Sequence, residues 1–355
     1  MCKSESKSRV PTEPCYHRQP SPMPLLTGFL LVLLAGLLQG TFILPMTMVR
    51  RWSWAHTWIS FSLLGMLVFN WIITLIFIPN ISSIYREVPA RDLVILACFG
   101  LGWGVGAVLF GLGMERLGMA LGYPIIMGLI ASVGALIPLL LFFPQELATS
   151  KGLVLLAGTF VVVVGIVVCS MAASKKTPGS AGTANVVRGG LVIAVLAGLL
   201  SCLPNVGMAF GKSLMSAAES RGVAETSAGN TVWALLFTFG CVANVGYCVF
   251  LIIQNRTGNR YLGPDFPRNV GLSSLMALMW IGSFYLYGAG AAKLGRWGAV
   301  VGWPLFISLS IVIGNIWGVW RGEWKGASRS ARRLLNVGLI VLIAAVILIA
   351  FSNSV

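Results

Sequence analysis

The side chains in this chain that could do chemistry are amides and aromatic rings placed inside long apolar runs. The amides within such runs are Gln39, Asn70, Asn205, Asn244 and Asn315. Polar side chains inside a membrane span are rare and usually face the interior of the helix bundle, where they bond a ligand or a neighbouring helix. We therefore treat Gln39, Asn70 and Asn205 as candidates for lining a ligand path, with bonding between helices as the alternative.

Aromatic side chains recur at helical spacing in two of these runs. The two sets are Trp103 with Phe110, and Trp280 with Ser283 and Tyr287. Residues seven apart share one face of a helix, and such rings offer a ligand flat apolar surfaces. Tyr123 and Trp303 each stand in a Gly-aromatic-Pro triplet. Ordinary packing, or anchoring at the membrane interface, is the alternative for all of these rings.

No set of residues for catalysis or metal binding accompanies the amides and rings. No Asp or Glu lies in the middle of an apolar run, and the seven cysteines include no C-x-x-C pair, so we predict no disulfide, metal site or cofactor. The stretch GMAFGKS (207–213) resembles a phosphate-binding loop but has one residue too few between its glycines and no strand before it. We expect Lys212 to extend toward lipid headgroups instead.

The composition requires a membrane environment. Hydrophobic residues make up 57% of the chain and charged residues 10%, whereas soluble domains carry roughly 25% charged residues. Apolar runs of about 20 residues can cross the hydrocarbon, and only helices satisfy their own backbone groups there. The sequence predicts an all-α integral membrane protein of ten transmembrane helices, near 24–47, 54–78, 92–114, 118–143, 152–172, 190–211, 228–253, 270–292, 297–320 and 334–351.

One sequence motif occurs twice in the chain. GLGMERLG (111–118) and GAGAAKLG (288–295) are 177 residues apart, and each leads to a Gly-aromatic-Pro triplet. AGLLQG (35–40) resembles AGLLSC (197–202), so helix 1 corresponds to helix 6, helix 3 to helix 8, and helix 4 to helix 9. A half of five helices reverses the topology of the next half, and two inverted repeats with a site between them are typical of secondary transporters.

The repeat divides the chain into parts. We expect a disordered polar tail, a first five-helix repeat, a linker and a second five-helix repeat, at 1–22, 23–173, 174–189 and 190–355. A record of gene duplication without alternating access is the alternative. Glycine pairs four residues apart, such as Gly36/Gly40 and Gly100/Gly104, predict close approach of helix backbones.

Four motifs resemble the L-rhamnose–proton symporter family, within the drug/metabolite transporter superfamily. They are RRWSWAHTW (50–58), FIPN (77–80), ERLGMALG (115–122) and GEWKGASR (322–329). The resemblance covers residues 24–351 and implies proton-driven uptake of a sugar, L-rhamnose or a relative, across a bacterial inner membrane. Family members tend to carry Glu where Ala55 stands here, and an acidic residue in the stretch equivalent to 296–303, which has none. Either difference could mean another sugar or another coupling ion.

On this resemblance we expect a carrier that works by alternating access, with a sugar and protons as its partners. The candidate sugar contacts are Gln39, Asn70, Trp103, Tyr123, Asn205, Trp280, Tyr287 and Trp303. Proton coupling needs a titratable group in the path, and Glu115, at the end of helix 3, ranks first. A carrier for another metabolite, working as exporter or facilitator, is the alternative. An intramembrane enzyme or a receptor fits less well, because convergent carboxylates and a soluble domain are missing from the sequence.

The net charge of +15 lies in short loops, so lipid headgroups explain it better than nucleic acid does. Loops 1–2, 3–4, 5–6, 7–8 and 9–10 hold 14 Lys and Arg, and the other four loops hold 7. Because Lys and Arg near spans favour the cytoplasm, we predict that both termini face the periplasm.

Overall fold

A computed structural model describes residues 22–176, 184–295, 298–322 and 324–351, and these residues form helices with short connections. The α-helices are α1 (Pro22–Thr41), α2 (Trp54–Ser62), α3 (Asn70–Phe77), α4 (Ile81–Glu87), α5 (Ala90–Phe142), α6 (Ser150–Lys176), α7 (Ala184–Ser201), α8 (Leu203–Phe210), α9 (Lys212–Ser220), α10 (Glu225–Ala228), α11 (Asn230–Gln254), α12 (Phe266–Lys293), α13 (Trp303–Trp320) and α14 (Arg329–Phe351). Two π-helical segments, Leu63–Phe69 and Gly298–Gly302, precede α3 and α13.

The helices make this a multi-pass membrane protein. Within the described ranges, nine helical stretches are long and apolar enough to cross a membrane, and Ile126–Phe142 is a shorter apolar helix. The all-α prediction is therefore confirmed. Predicted helices 3 and 4 differ from the expectation, because they form the single 53-residue run of α5. A straight run of that length would extend about 80 Å, far beyond a hydrocarbon layer of about 30 Å.

The run of α5 folds back on itself between Gly113 and Ile126. A β-carbon added at Gly113 would lie 3.3 Å from the Ile126 side chain, although a straight helix would hold the two positions about 20 Å apart. We call Ala90–Gly113 the first arm and Ile126–Phe142 the second arm. The two arms cover most of the residues that the sequence analysis assigned to predicted helices 3 and 4.

Helix α7 and its continuation α8 lie between these two arms. Gly113 faces Ala194 and Gly106 faces Leu200, so α7 runs antiparallel to the first arm. Helix α7 and its continuation run parallel to the second arm, because Leu129 contacts Gly198 and Gly134 contacts Asn205. Helix α1 packs on α12 and α13 with the same two directions, antiparallel to α12 and parallel to α13. The contacts that fix these directions are Gly28 with Gly290, Leu38 with Gly282, Gly36 with Leu309, and Gly40 with Ile313.

The remaining helices pair across the middle of the chain. Helices α2 and α3 run parallel to α12, from Gly65 beside Ala277 to Thr74 beside Tyr285. Helix α11 runs parallel to the first arm, and α6 runs antiparallel to α14. The contacts behind these two directions are Gly100 with Leu236, Gly104 with Gly240, Gly158 with Ile349, and Gly338 with Cys169. Glycines at Gly36, Gly40, Gly100 and Gly104 all sit at such crossings, which confirms the close backbone approach expected of them.

Candidate functional site

A cluster of aromatic rings fills the centre of the bundle. Trp103 of the first arm stacks on Trp280 of α12, with ring centroids 5.7 Å apart and an interplanar angle of 18°. Further rings continue from this pair, and together they form what we call the aromatic cluster: Phe61, Trp103, Trp233, Phe237, Trp280, Phe284, Tyr287, Trp303 and Phe306. Each member is at most 8% exposed, so the rings close the centre in this structure.

Helical spacing places these rings on common faces. Trp280, Phe284 and Tyr287 follow each other at intervals of four and three residues on α12, which puts them on one side of that helix. Trp233 and Phe237 are one turn apart on α11 and stack at 5.4 Å with an angle of 9°. The cluster therefore joins the first arm, α11, α12 and α13, and it receives Phe61 from α2.

Asn205 forms a buried hydrogen-bonded junction beside the cluster. Its Nδ2 donates to the carbonyl oxygens of Gly134 at 2.7 Å and Ala299 at 2.8 Å, and its Oδ1 accepts a hydrogen bond from the Tyr287 hydroxyl. We call these four residues the Asn205 hub. Ala299 lies in a π-helical segment, and Asn205 itself follows the break between α7 and α8 at Cys202. Such segments are frequent at functional sites.

Asn70, the first residue of α3, forms a second junction with a tyrosine of α12. Its Nδ2 donates to the carbonyl of Met66 at 3.0 Å and lies 3.4 and 3.3 Å from those of Trp233 and Ala234. Its Oδ1 accepts from the Tyr285 hydroxyl at 2.8 Å. We call these residues the Asn70 hub. Met66 belongs to the first π-helical segment, so both hubs use an amide to satisfy a carbonyl of a π-helical segment.

The remaining candidates attach to the same region. Gln39 of α1 is half-buried, and its Oε1 accepts a hydrogen bond from Ser283 at 2.7 Å, one turn beyond Trp280. The Trp303 indole donates to the carbonyl of Ile130 at 2.9 Å. Lys212 lies on the surface with its ammonium 4.9 Å from the centre of the Phe142 ring.

The structure brings seven of the predicted sugar contacts to the centre of the bundle. They are Gln39, Asn70, Trp103, Asn205, Trp280, Tyr287 and Trp303. The side chains of the other two candidates, Tyr123 and the predicted coupling residue Glu115, lie outside the described residues. Within the described part of the chain, no cluster of three His, Cys, Asp or Glu could hold a metal ion. This centre offers ring faces and hydrogen-bonding groups.

The sequence analysis missed the contribution of α11. Trp233 and Phe237 link the Trp103–Trp280 stack to Tyr287. A signal for them existed, because Trp58 and Trp233 are 175 residues apart, as are Gly65 and Gly240. A β-carbon at Gly65 would meet the Trp280 ring, and one at Gly240 would meet the Trp103 ring. The sequence analysis did not include this match between predicted helices 2 and 7.

Hydrogen bonds close one end of the bundle, which we call the basic end, at residues 50–56 and 257–269. There the Trp52 indole donates to the carbonyl of Arg260 at 3.1 Å, and His56 Nε2 donates to that of Thr257 at 2.9 Å. The side chains of Arg51 and Asp265 pair at 3.3 Å. A cavity of about 440 Å³ opens beside Ala55.

The opposite end, which we call the Glu87 end, is closed by another set of contacts. Arg221 of the α9–α10 connection makes a paired hydrogen bond with Glu87 at the end of α4, and the Tyr85 hydroxyl donates to the carbonyl of Thr231 at 2.8 Å. The hydrogen bond from Arg221 holds the pKa of the Glu87 carboxyl below its ordinary value. Both ends therefore join a residue before 177 to one after 183.

The chain is similar in sequence and in fold to known proteins. The family model described as L-rhamnose-proton symport protein (RhaT) matches residues 24–354. An L-rhamnose-proton symporter of Cronobacter sakazakii is 30% identical, over 90% of this chain and 95% of its own length. One of Yersinia pestis is 26% identical, over 90% and 96%. A solved crystal structure with a TM-score of 0.56 and 16% identity covers 92% of this chain and 96% of that chain, which shows the fold alone.

Proposed function

This chain belongs to the L-rhamnose-proton symport protein family, and from that membership we propose that it imports L-rhamnose together with protons. The family consists of carriers, so the chain is not an enzyme. We place it in a bacterial inner membrane, where a proton gradient can drive uptake. A carrier for another metabolite is the alternative that a transport experiment has to separate from this one.

The aromatic cluster with its two hubs is the observation that carries the proposal within the structure. A sugar has apolar ring faces and several hydroxyls, and it needs flat apolar surfaces with a few placed hydrogen-bonding groups. Trp103 and Trp280 supply the surfaces, and Asn205 and Gln39 supply amides within the same region. We assign the sugar site to this region, with Trp103, Trp280, Tyr287 and Asn205 as its main contacts.

The packing supports two inverted repeats of five helices. Helix α7 lies on the two arms of α5 as α1 lies on α12 and α13, and α11 lies on the first arm as α2 and α3 lie on α12. Helices α2 and α11 are antiparallel to each other, from Trp58 with Asn244 to Asn70 with Trp233. We infer ten crossings, with the second arm as the tenth, and repeats at 23–173 and 190–355.

Alternating access follows from this arrangement. In secondary transporters the halves rock against each other around a site near the midplane. The contacts at the basic end and at the Glu87 end both bridge the two repeats, so opening either end requires breaking its own set of contacts. We interpret the closed centre as the occluded state of this cycle, which lies between the outward-open and inward-open states.

The orientation proposal is that the basic end faces the cytoplasm and both termini face the periplasm. The helix directions bring the five loops with the larger share of Lys and Arg to one end of the bundle, which is the end expected to be cytoplasmic. A reporter fused after Val355 that is active only in the cytoplasm would overturn this orientation. A reporter active only in the periplasm is the expected result.

Proton coupling is assigned to Glu115, where the first arm leads into the reversal of α5. The Glu115→Gln variant should bind and exchange the sugar but lose accumulation driven by a pH gradient, because an uncharged amide cannot take up the proton. Exchange of labelled for unlabelled sugar measures the first property, and net uptake against a gradient measures the second. A variant that still accumulates sugar would show that Glu115 is structural.

The function itself is tested by uptake into proteoliposomes. Purified protein should accumulate labelled L-rhamnose when the outside is acidic and should only equilibrate it when no pH gradient is present. Unlabelled L-rhamnose should compete with the label. Uptake without any pH dependence would indicate a facilitator or another coupling ion, and the absence of rhamnose uptake would favour a carrier for another metabolite.

A further inference from the structure

Trp233 carries a hydrogen-bond donor without an acceptor. Its side chain is wholly buried in the aromatic cluster, and its indole Nε1 has no hydrogen-bond partner in the structure. Two other indoles of the bundle are satisfied: that of Trp58 donates to Asn244 at 2.9 Å, and that of Trp71 donates to Thr238 at 2.9 Å. A buried donor with no partner is costly, so this one calls for a functional explanation.

The indole N–H points at a place that can open. A β-carbon added to Gly288 would lie 2.8 Å from Trp233 Nε1 and 3.4 Å from the terminal methyl of Met208. Gly288 therefore lies against the indole nitrogen, and the end of the Met208 side chain lies close to the same place. A methionine side chain is flexible and adapts its shape easily, so rotation of Met208 can expose the donor without breaking a hydrogen bond.

The counterpart of Trp233 in the first repeat is arranged differently. Trp58 corresponds to Trp233, as Gly65 corresponds to Gly240, but its indole is already bonded to the Asn244 side chain. Gly111 corresponds to Gly288, and a β-carbon there would meet nothing within 4 Å. In the second repeat, Gly288 lies close to the Trp233 indole, and the indole N–H has no acceptor. In the first repeat, Gly111 has no such neighbour, and the Trp58 indole N–H is bonded.

We propose that Trp233 is a sugar-binding residue whose indole N–H donates a hydrogen bond to one hydroxyl of the carried sugar. This inference rests on the proposed function and adds a contact that sets specificity. The Trp233 ring lies next to Tyr287 and stacks on Phe237, so the donor lies within the region assigned to the sugar. A site built to bond a hydroxyl discriminates against the analogue that lacks it.

The test uses the full chain in proteoliposomes and a panel of monodeoxy derivatives of L-rhamnose as competitors. Wild-type protein should bind one of them about tenfold more weakly than L-rhamnose, which is the effect of one hydrogen bond. The Trp233→Phe variant should bind L-rhamnose about tenfold more weakly while its affinity for that derivative stays the same. Discrimination at one hydroxyl is then lost, and discrimination at the others remains.

Two further variants keep the result interpretable. Gly288→Ala places a methyl group against the indole N–H and should abolish the same discrimination, whether or not Trp233→Phe folds. Trp58→Phe removes the corresponding indole N–H, which is already bonded, and should leave the whole pattern unchanged. An unchanged pattern in both Trp233→Phe and Gly288→Ala would overturn the inference. Wild-type protein that does not bind L-rhamnose would overturn the proposed function as well.

Discussion

Two buried asparagines each accept a hydrogen bond from a tyrosine of α12, but they hold different parts of the bundle. Asn70 donates at 3.0 Å to Met66 within its own polypeptide segment and lies 3.3 Å or more from the carbonyls of α11. Asn205 donates at 2.7 and 2.8 Å to two other helices. Both hubs therefore join a residue before 177 to residues after 183, but the short donor bond of Asn70 stays within its own segment, whereas those of Asn205 reach two other segments.

The difference follows from where the helices are interrupted. Asn70 comes directly after its π-helical segment, so its amide reaches back to the carbonyl one turn earlier. Asn205 follows the α7–α8 break and reaches the π-helical segment before α13 and the second arm. Interrupted helices near the midplane are typical of transporter binding sites, and the Asn205 hub joins two interruptions where the Asn70 hub has one.

The largest expected effect comes from removing the Trp280 ring, which contacts Phe61, Trp103, Phe237 and Phe284. Trp280 lies on α12 ahead of both tyrosines and is 3% exposed. Trp280→Ala should lower the free energy of unfolding by about 3–5 kcal/mol because it leaves a cavity within the aromatic cluster, and thermal unfolding in detergent measures this loss. Trp320→Ala is the matched control, since Trp320 is 69% exposed. Equal losses in the two variants would contradict a central role for Trp280.

The next effect separates the hubs directly. Asn205→Ala should cost roughly 2 kcal/mol, because two carbonyls and the Tyr287 hydroxyl lose their partner. Asn70→Ala should cost about 1 kcal/mol or less, because the Tyr285 hydroxyl keeps its bond to Thr74. Urea or thermal unfolding of both variants gives the comparison, and Asn315→Ala, whose amide donates to Ile311 of its own helix, is the control. A larger loss for Asn70→Ala would reverse our ranking.

A smaller effect concerns transport. Tyr287→Phe and Tyr285→Phe each remove one hydroxyl from α12 and leave one amide oxygen unpaired, so both should cost about 1 kcal/mol of stability. Because the Asn205 hub lies in the assigned sugar site, Tyr287→Phe should also raise the KM for the sugar about fivefold, and Tyr285→Phe should leave it near the wild-type value. Initial uptake rates, normalised to folded protein, decide between these outcomes. Equal changes in KM would place both hubs in the site.

The smallest effect lies beyond the Asn70 hub, at the Glu87 end. The hydrogen bond from Arg221 lowers the pKa of the Glu87 carboxyl, so this contact stabilises the closed end at pH values above the ordinary carboxyl pKa. The stabilisation is lost as the pH falls through the lowered value in the folded protein. Glu87→Gln should remove this part of the acid dependence of thermal stability. The effect is small because the pair is exposed. If the thermal stability of the variant depends on pH as strongly as that of the wild-type protein, the dependence comes from other carboxyls.

The sequence was sufficient for the all-α membrane fold and for several residues that lie together at the centre of the bundle. Apolar length identified the spans, and the 177-residue offset predicted the meeting of Trp103 and Trp280, which stack in the structure. The two π-helical segments were not predictable, because tertiary contacts rather than local propensity decide them. The role of Trp233 was not predicted, because the sequence alone does not distinguish a packing tryptophan from one whose N–H lacks a partner.

The simultaneous closure of both ends has a consequence for the energetics of the cell. A membrane protein with a water-filled passage would let protons flow without cargo and would discharge the gradient that drives uptake. Here the Arg51–Asp265 and Arg221–Glu87 pairs are formed together, and the aromatic cluster lies between them with almost no exposed surface. In this occluded form the carrier acts as an electrical and osmotic insulator, so copies in this form do not dissipate the proton-motive force of the cell.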